Sequence, residues 1–280
     1  MLFFFSFAIK VPIIPFHLWL PEAHVEAPTA GSIILAGILL KLGSYGILRF
    51  LLPLFPQASF FFTPIIYILC GISTIYASLI AIRQTDLKRI IAYASIAHMN
   101  LIILGLFSFN IQGLEGSIFQ MVSHGITASA LFFSIGLLYD KYHTRNLYYY
   151  SGLCSVMPLF TFFFLIYIFS NIALPLTCNF VGELLILISL IQINTLITLI
   201  GASGMILSGV YSLWLLNRIC FGNLKIIYIS NYNDITILDI LIHFPFVFLI
   251  IFLGVFPNFI LMNIKSSLYF YLYLFNLKTI

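Results

Sequence analysis

The chain has 280 residues, of which 62% are hydrophobic and only 7% charged; 12 Lys and Arg stand against 8 Asp and Glu, for a formal net charge of +4. A soluble domain of this size needs far more polar residues to cover its surface, so that class is excluded. Long unbroken runs such as LFTFFFLIYIF (159–169) lack the polar/apolar alternation of a membrane barrel, and the reading is an all-α polytopic membrane protein.

The opening, MLFFFSFAIKVP, has no basic region ahead of its apolar run and no small-residue cleavage site, so it does not read as a secretory signal. A spanning helix needs about 20 apolar residues. Apolar segments at 1–20, 29–52, 60–82, 89–107, 116–139, 156–191, 196–216 and 239–262 therefore predict about eight spans. The first is interrupted by Pro12 and Pro15 in KVPIIP. The sixth is too long for one straight span and is interrupted by Pro175, which predicts a second broken helix. Irregular backbone at bilayer depth is tolerated only inside protein or beside a water-filled cavity, and paired interrupted helices point to a transport site. Lys10 flanks the first break. Glu183 lies just past the second, where a helix N-terminus would favour an anion.

With eight spans, one side receives Arg83, Lys88, Arg89, Lys141, Arg145, Arg218 and Lys225, and the other Arg49, Lys265 and Lys278. The positive-inside rule assigns the first side to the cytoplasm or matrix and both termini to the opposite side. The stretch 222–238 is the longest polar connector. Asp86, Lys88, Arg89, Asp140, Lys141 and Arg145 read as solvated connector charges, and Glu115 as a connector residue. Cys70, Cys154, Cys178 and Cys220 stand far apart in or beside apolar runs, with no C-x-x-C, and read as small hydrophobes. There is no Gly-rich phosphate loop, no nucleic-acid face and no hydrolase triad with a plausible frame. The excess of Phe, Ile, Leu, Tyr and Asn suits an AT-rich genome, which hints at an organelle.

Five ionisable residues sit within otherwise apolar stretches: Lys10, Lys41, His98, His124 and Glu183. A charge at bilayer depth costs roughly 2.5–3.5 kcal/mol on insertion scales and is rarely kept without a function. Histidine titrates near neutrality, so these residues could hand protons from one to the next. A structural alternative stands beside each. Lys41 could snorkel, Lys10 could be interfacial, Glu183 could be a simple cap, and each histidine could be a hydrogen-bonded core residue. His17, Glu22, His24 and Glu26 cluster in PFHLWLPEAHVE. Their types suit a metal, but their spacing matches no standard arrangement, and a structural loop on the matrix side is the preferred reading.

KVPIIPFHLWLPEAHVEAPTAGSIILAGILLKLGSYGILRF (10–50) closely resembles the signature of the antiporter-like subunit 4 of respiratory complex I, NADH:ubiquinone oxidoreductase. QTDLKRIIAYASIAHMN (84–100), MVSHGITASALF (121–132), LYDKYHTRN (138–146) and NFVGELLIL (179–187) resemble the same family in the same order. The resemblance implies a fold of two inverted five-helix repeats, with this chain matching about spans seven to fourteen. Residues 1–52 would end the first half-channel repeat, 60–216 form the second repeat, and 239–280 the terminal helix and tail. It makes Lys41 the central-axis lysine, Lys10 the partner of a glutamate with no counterpart here, His98 and His124 relay members, and Glu183 the terminal acid. Tyr93 would help to hold water.

By the same resemblance the chain would be part of a proton-translocating NADH:ubiquinone reductase in the mitochondrial inner membrane. It would have no redox centre of its own, with NADH, FMN, iron–sulfur clusters and ubiquinone on partner subunits. Its partners would be other membrane-arm subunits, the lipid bilayer and a separate chain supplying the amino-terminal half, rather than nucleic acid. A truncated product would be the alternative to that split. The competing functions are a subunit of a multisubunit cation/proton antiporter or membrane-bound hydrogenase, and a non-transporting structural or assembly protein.

Overall fold

The computed structural model describes residues 2–225 and 232–279, with side chains through residue 272. The centre of the 222–238 connector and the Lys278 side chain lie outside the described residues. All regular structure among these residues is helical.

Helix α1 (Leu2–Lys10) and α2 (Trp19–Glu26) flank the first proline-rich break. Helix α3 runs Thr29–Leu54, α4 Pro56–Arg83, α5 Leu87–Leu106 and α6 Ile111–Tyr142. The second break separates α7 (Pro158–Asn171) from α8 (Cys178–Ile191). The chain continues through α9 (Thr195–Cys220), α10 (Ile237–Val255) and α11 (Asn258–Thr279). Helices α3, α4, α5, α6, α9 and α10 are long and apolar enough to cross a membrane. The two predicted broken helices are observed as pairs of shorter segments. The last predicted span, 239–262, is different: helix α10 ends before Pro257, and the residues read as a tail form α11.

Local sequence sets the ends. Pro56 and Pro158 occupy the first turns of α4 and α7, where a missing N–H costs nothing. Thr236 and Asp239 form a reciprocal capping box that opens α10, and the Asn194 side chain caps α9 by accepting from Leu196 N at 2.9 Å.

Helices α5 and α6 form the centre. Every residue of α5 except Arg89 is buried, so α5 touches protein rather than lipid along its length. At 32 residues, α6 is about 48 Å long at 1.5 Å per residue, and it packs against α3, α5, α7, α8, α10 and α11. Helix α10, by contrast, exposes Ile237, Leu238, Leu241, Phe244 and Phe248 on its outer face, as a lipid-facing helix would.

The breaks are satisfied from within the bundle. In the first, Asn100 Nδ2 of α5 donates to the Pro12 carbonyl (3.3 Å), and Ile14 N donates to Ser73 Oγ of α4 (3.1 Å). In the second, Ala173 and Leu176 take positive φ values of 62° and 75°, a region costly for residues with a Cβ. Gly254 of α10 meets the Leu176 carbonyl so closely that a Cβ there would overlap it.

The three basic connectors gather at one end of the bundle. Leu87 N donates to the Arg145 carbonyl (3.0 Å), Leu147 N to the Thr85 carbonyl (2.8 Å), and Gly152 N to the Phe221 carbonyl (3.1 Å). The α2 loop joins them through an Arg89–Glu22 ion pair at 3.3 Å. The expectation of solvated charges fails for several of these residues. Lys88 is only 2% exposed and donates to the Ala27 carbonyl at 2.7 Å. Arg145 donates to the Val25 carbonyl, and Lys141 to the Asp234 carbonyl. These cations satisfy carbonyls that the α2 loop and the last connector leave unpaired, which ties the loops down.

Candidate functional site

Lys41 lies between two π-helical turns of α3, Leu35–Leu39 and Ile47–Leu51, a local widening often found at functional sites. Its Nζ donates to the Ala36 carbonyl and meets His124 Nδ1 at 3.1 Å. Gly125 allows this approach of α6 to α3. A Cβ there would lie 3.0 Å from the Gly37 carbonyl oxygen and 3.6 Å from Lys41 Cε.

The column continues into the bundle. The His124 and His98 rings have centroids 5.3 Å apart, and His98 Nδ1 lies 2.9 Å from Glu183 Oε1. Gln120 Nε2, one turn before His124 on α6, donates to the same carboxylate oxygen at 3.1 Å. Its own Oε1 accepts from Ser123 Oγ at 3.2 Å. Asn179 Nδ2 reaches Thr127 Oγ1 at 3.4 Å beside this group. His98, His124 and Glu183 are all buried, whereas Lys41 is half-buried beside an open cavity of about 470 Å³. His98 Nε2 and Glu183 Oε2 have no partner among the described residues. A water could bond to each, since buried polar atoms rarely go unpaired.

Four of the five predicted site residues therefore meet as one column through α3, α6, α5 and α8. Lys10 does not join them by direct contact. It ends α1 with an exposed side chain, and its Cβ lies beside Gly43, two residues beyond Lys41 in α3. Glu183 is the sixth residue of α8, beyond the first turn in which a helix N-terminus favours an anion. Its carboxylate is held by His98 and Gln120, and it caps nothing. Gln120 and Asn179 were not singled out from sequence. The i, i+4 spacing of Gln120 and His124 in QMVSH was the available signal, because it places both on one helix face.

The His17–Glu26 cluster is dispersed. His17 meets the Tyr76 ring edge-on, His24 stacks on Phe132 at 4.4 Å, and Glu22 pairs with Arg89. Glu22, His24 and Glu26 lie in helix α2 rather than in the loop expected from the sequence.

A family model described as NADH:quinone oxidoreductase/Mrp antiporter, TM, matches residues 1–208. The chain belongs to that family. Two of its relatives carry the name NADH-ubiquinone oxidoreductase chain 4. The one from Chondrus crispus is 57% identical, the match covering 95% of this chain and 54% of the relative. The one from Marchantia polymorpha is 54% identical with the same coverage. The chain thus spans about half the length of the curated relatives it matches. Among solved structures, a chain of respiratory complex I from Thermus thermophilus is 26% identical with a TM-score of 0.91, over 98% of this chain and 58% of that one. A chain of the Mrp complex from Dietzia sp. shares the fold at a TM-score of 0.85 and 20% identity, over 95% of this chain and 57% of that one. Family and fold together make this an integral, helical membrane protein of the antiporter-like class.

Proposed function

We propose that the chain is the proton-translocating part of a complex I membrane-arm subunit, and that Lys41, His124, His98 and Glu183 carry the protons. The single observation behind this reading is their column, with polar contacts of 3.1 Å and 2.9 Å at its two ends and the two histidine rings 5.3 Å apart between them. Identity of 57% to a chain 4 relative, against 20% to the Mrp chain, favours complex I over an antiporter.

The geometry suggests a sequence of steps. With Lys41 as the ammonium and Glu183 as the carboxylate, two neutral histidines separate opposite charges and the column is neutral overall. Lys41 donates to His124 Nδ1, leaving an amine that can be reprotonated. His124 passes a proton through water to His98 Nε2, whose Nδ1–H is already directed at Glu183 Oε1. The proton then moves to Glu183, and the tautomers reset. An extra proton gives a buried net charge, which costs several kcal/mol in a low-dielectric interior, so the column favours release once loaded. Gln120 holds the Glu183 carboxylate in line.

In this reading Lys10, on the edge beside Gly43, faces helices that relatives of about twice this length would place there, and protons would reach Lys41 from that side. Residues 60–216 would form one five-helix repeat, 1–52 would belong to the preceding half-channel, and 239–280 would close the bundle. The basic connectors would face the mitochondrial matrix. NADH, FMN, iron–sulfur clusters and ubiquinone would belong to partner subunits, with this chain supplying the membrane half of the reaction. The test is NADH-driven proton translocation by the intact complex in vesicles. Substitution of Glu183 or Lys41 abolishes the share carried by this chain while the complex still assembles.

A further inference from the structure

At the end of the bundle away from the basic connectors, α6, α8 and α11 enclose an open cavity of about 710 Å³. Its polar lining includes Asn110, Gln112, Glu115, Gln192 and Lys265. The mouth is organised: Asn110 Nδ2 donates to Gln192 Oε1 (3.2 Å), and Gln192 Nε2 donates to Gln112 Oε1 (3.1 Å). Glu115 was expected to be a connector residue, but it is the fifth residue of α6 and only 9% exposed. Its Oε1 is buried and without a partner among the described residues. Lys265, on α11, lines the same cavity.

Glu115 and Gln120 share one helix and are separated by five residues, about 7.5 Å along its axis. The interval is small and polar. Ser117 Oγ lies one turn before Gln120, and bonds the Gly113 and Ile102 carbonyls. The hydroxyls of Ser108 and Ser189 converge on Gly113, where a Cβ would meet both. Ser108, Ser117 and Ser189 thus place three hydroxyls, each donating to a backbone carbonyl, beside the stretch of α6 between the cavity and Gln120. A plain solvated mouth needs no buried carboxylate oxygen without a partner in its wall.

We propose that Glu115 is the proton-exchange residue of the mouth that connects Glu183 with solvent at this end. The proposal rests on the proton-relay reading above. The proton of the Glu183 carboxylic acid passes along the hydroxyls and intervening water to the Glu115 carboxylate, regenerating the Glu183 anion. Glu115, in the wall of the cavity, then returns the proton to water there. No bond other than O–H is made or broken.

The test is proton release by vesicles carrying the intact complex, with assembly checked on native gels. Glu115→Gln should slow release about a hundredfold, the low side of what a positioned acid–base group contributes, and Glu115→Asp should retain more than Gln. A small weak acid added on the cavity side should restore release in Glu115→Gln, because it carries the proton from the mouth. A merely structural role for Glu115 would not give that rescue. Normal release by Glu115→Gln while Glu183→Gln is inactive overturns this inference alone. Normal release by both overturns the relay reading beneath it. Should Glu115→Gln not assemble, Gln112→Cys serves, in a Cys154→Ser background because Cys154 is the exposed cysteine among those described. A membrane-impermeant thiol reagent applied from the cavity side should block release, and unchanged release after full labelling overturns the proposal.

Discussion

Replacing Glu183 with Gln separates transport from folding. The carboxylate accepts two hydrogen bonds through one oxygen, from His98 Nδ1 at 2.9 Å and Gln120 Nε2 at 3.1 Å. A carboxamide oxygen in the same place keeps both as neutral bonds. Bonds to a charged group contribute about 1.5–3 kcal/mol and neutral ones about 0.5–1.5, so the two together lose about 2–3 kcal/mol. That is a minority of the ~5–15 kcal/mol that typically holds a domain folded, and part of it is returned because an ion no longer has to be buried. The variant should therefore assemble. The carboxamide cannot take a proton from His98, so transport through the column should stop. The assay is proton uptake by vesicles carrying the intact complex, paired with native gels. Full uptake by an assembled Glu183→Gln complex would refute the reasoning, and Glu183→Asp should retain part of the activity.

Lys88→Met leaves the Ala27 carbonyl without its donor and should cost about 1–3 kcal/mol, read as a lower midpoint in thermal unfolding of the detergent-solubilised complex; an unchanged midpoint contradicts the tethering described for α2. Asp234 accepts the first N–H groups of α7, from Leu159 at 2.9 Å and Phe160 at 3.1 Å. Asp234→Asn should lower stability by about 0.3–1 kcal/mol, the worth of an anion at an exposed helix N-terminus, with less difference at high salt. A cysteine engineered in the 84–88 connector and one at Gln192 should label from opposite sides of the membrane, the first from the matrix side. Labelling of both from one side would overturn the arrangement of connectors.

The column of Lys41, His124, His98 and Glu183 was legible because a charged or titratable residue in an apolar run has few reasons to be there. Lys41, His98, His124 and Glu183 announced themselves by cost, and the prolines at 12, 15 and 175 marked the broken helices by chemistry alone. The parts that were not legible depend on tertiary cover. Glu115 sits in a locally polar stretch, NIQGLEG (110–116), that reads as a connector until α11 is laid across it. Helix α11 was hidden because Lys265, Ser266 and Ser267 interrupt its apolar pattern, although Leu268 is buried. Lys88 looked like a solvated charge because nothing in its own helix shows that the α2 loop folds back over it. The anion-stabilising role first given to the start of α8 belongs instead to His98 and Gln120, which come from other helices.

The most direct test of the central claim is Lys41, the half-buried member of the column, which opens onto a cavity of about 470 Å³. Lys41→Ala removes the titratable group at 3.1 Å from His124 and leaves the rest of the column in place. Lys41→Arg keeps a charge that does not give up its proton in proteins. Both variants should assemble on native gels, and both should largely lose NADH-driven proton uptake by vesicles, Lys41→Arg included. Normal uptake by an assembled Lys41→Ala complex would remove this chain from the proton path and leave it a structural part of the membrane arm.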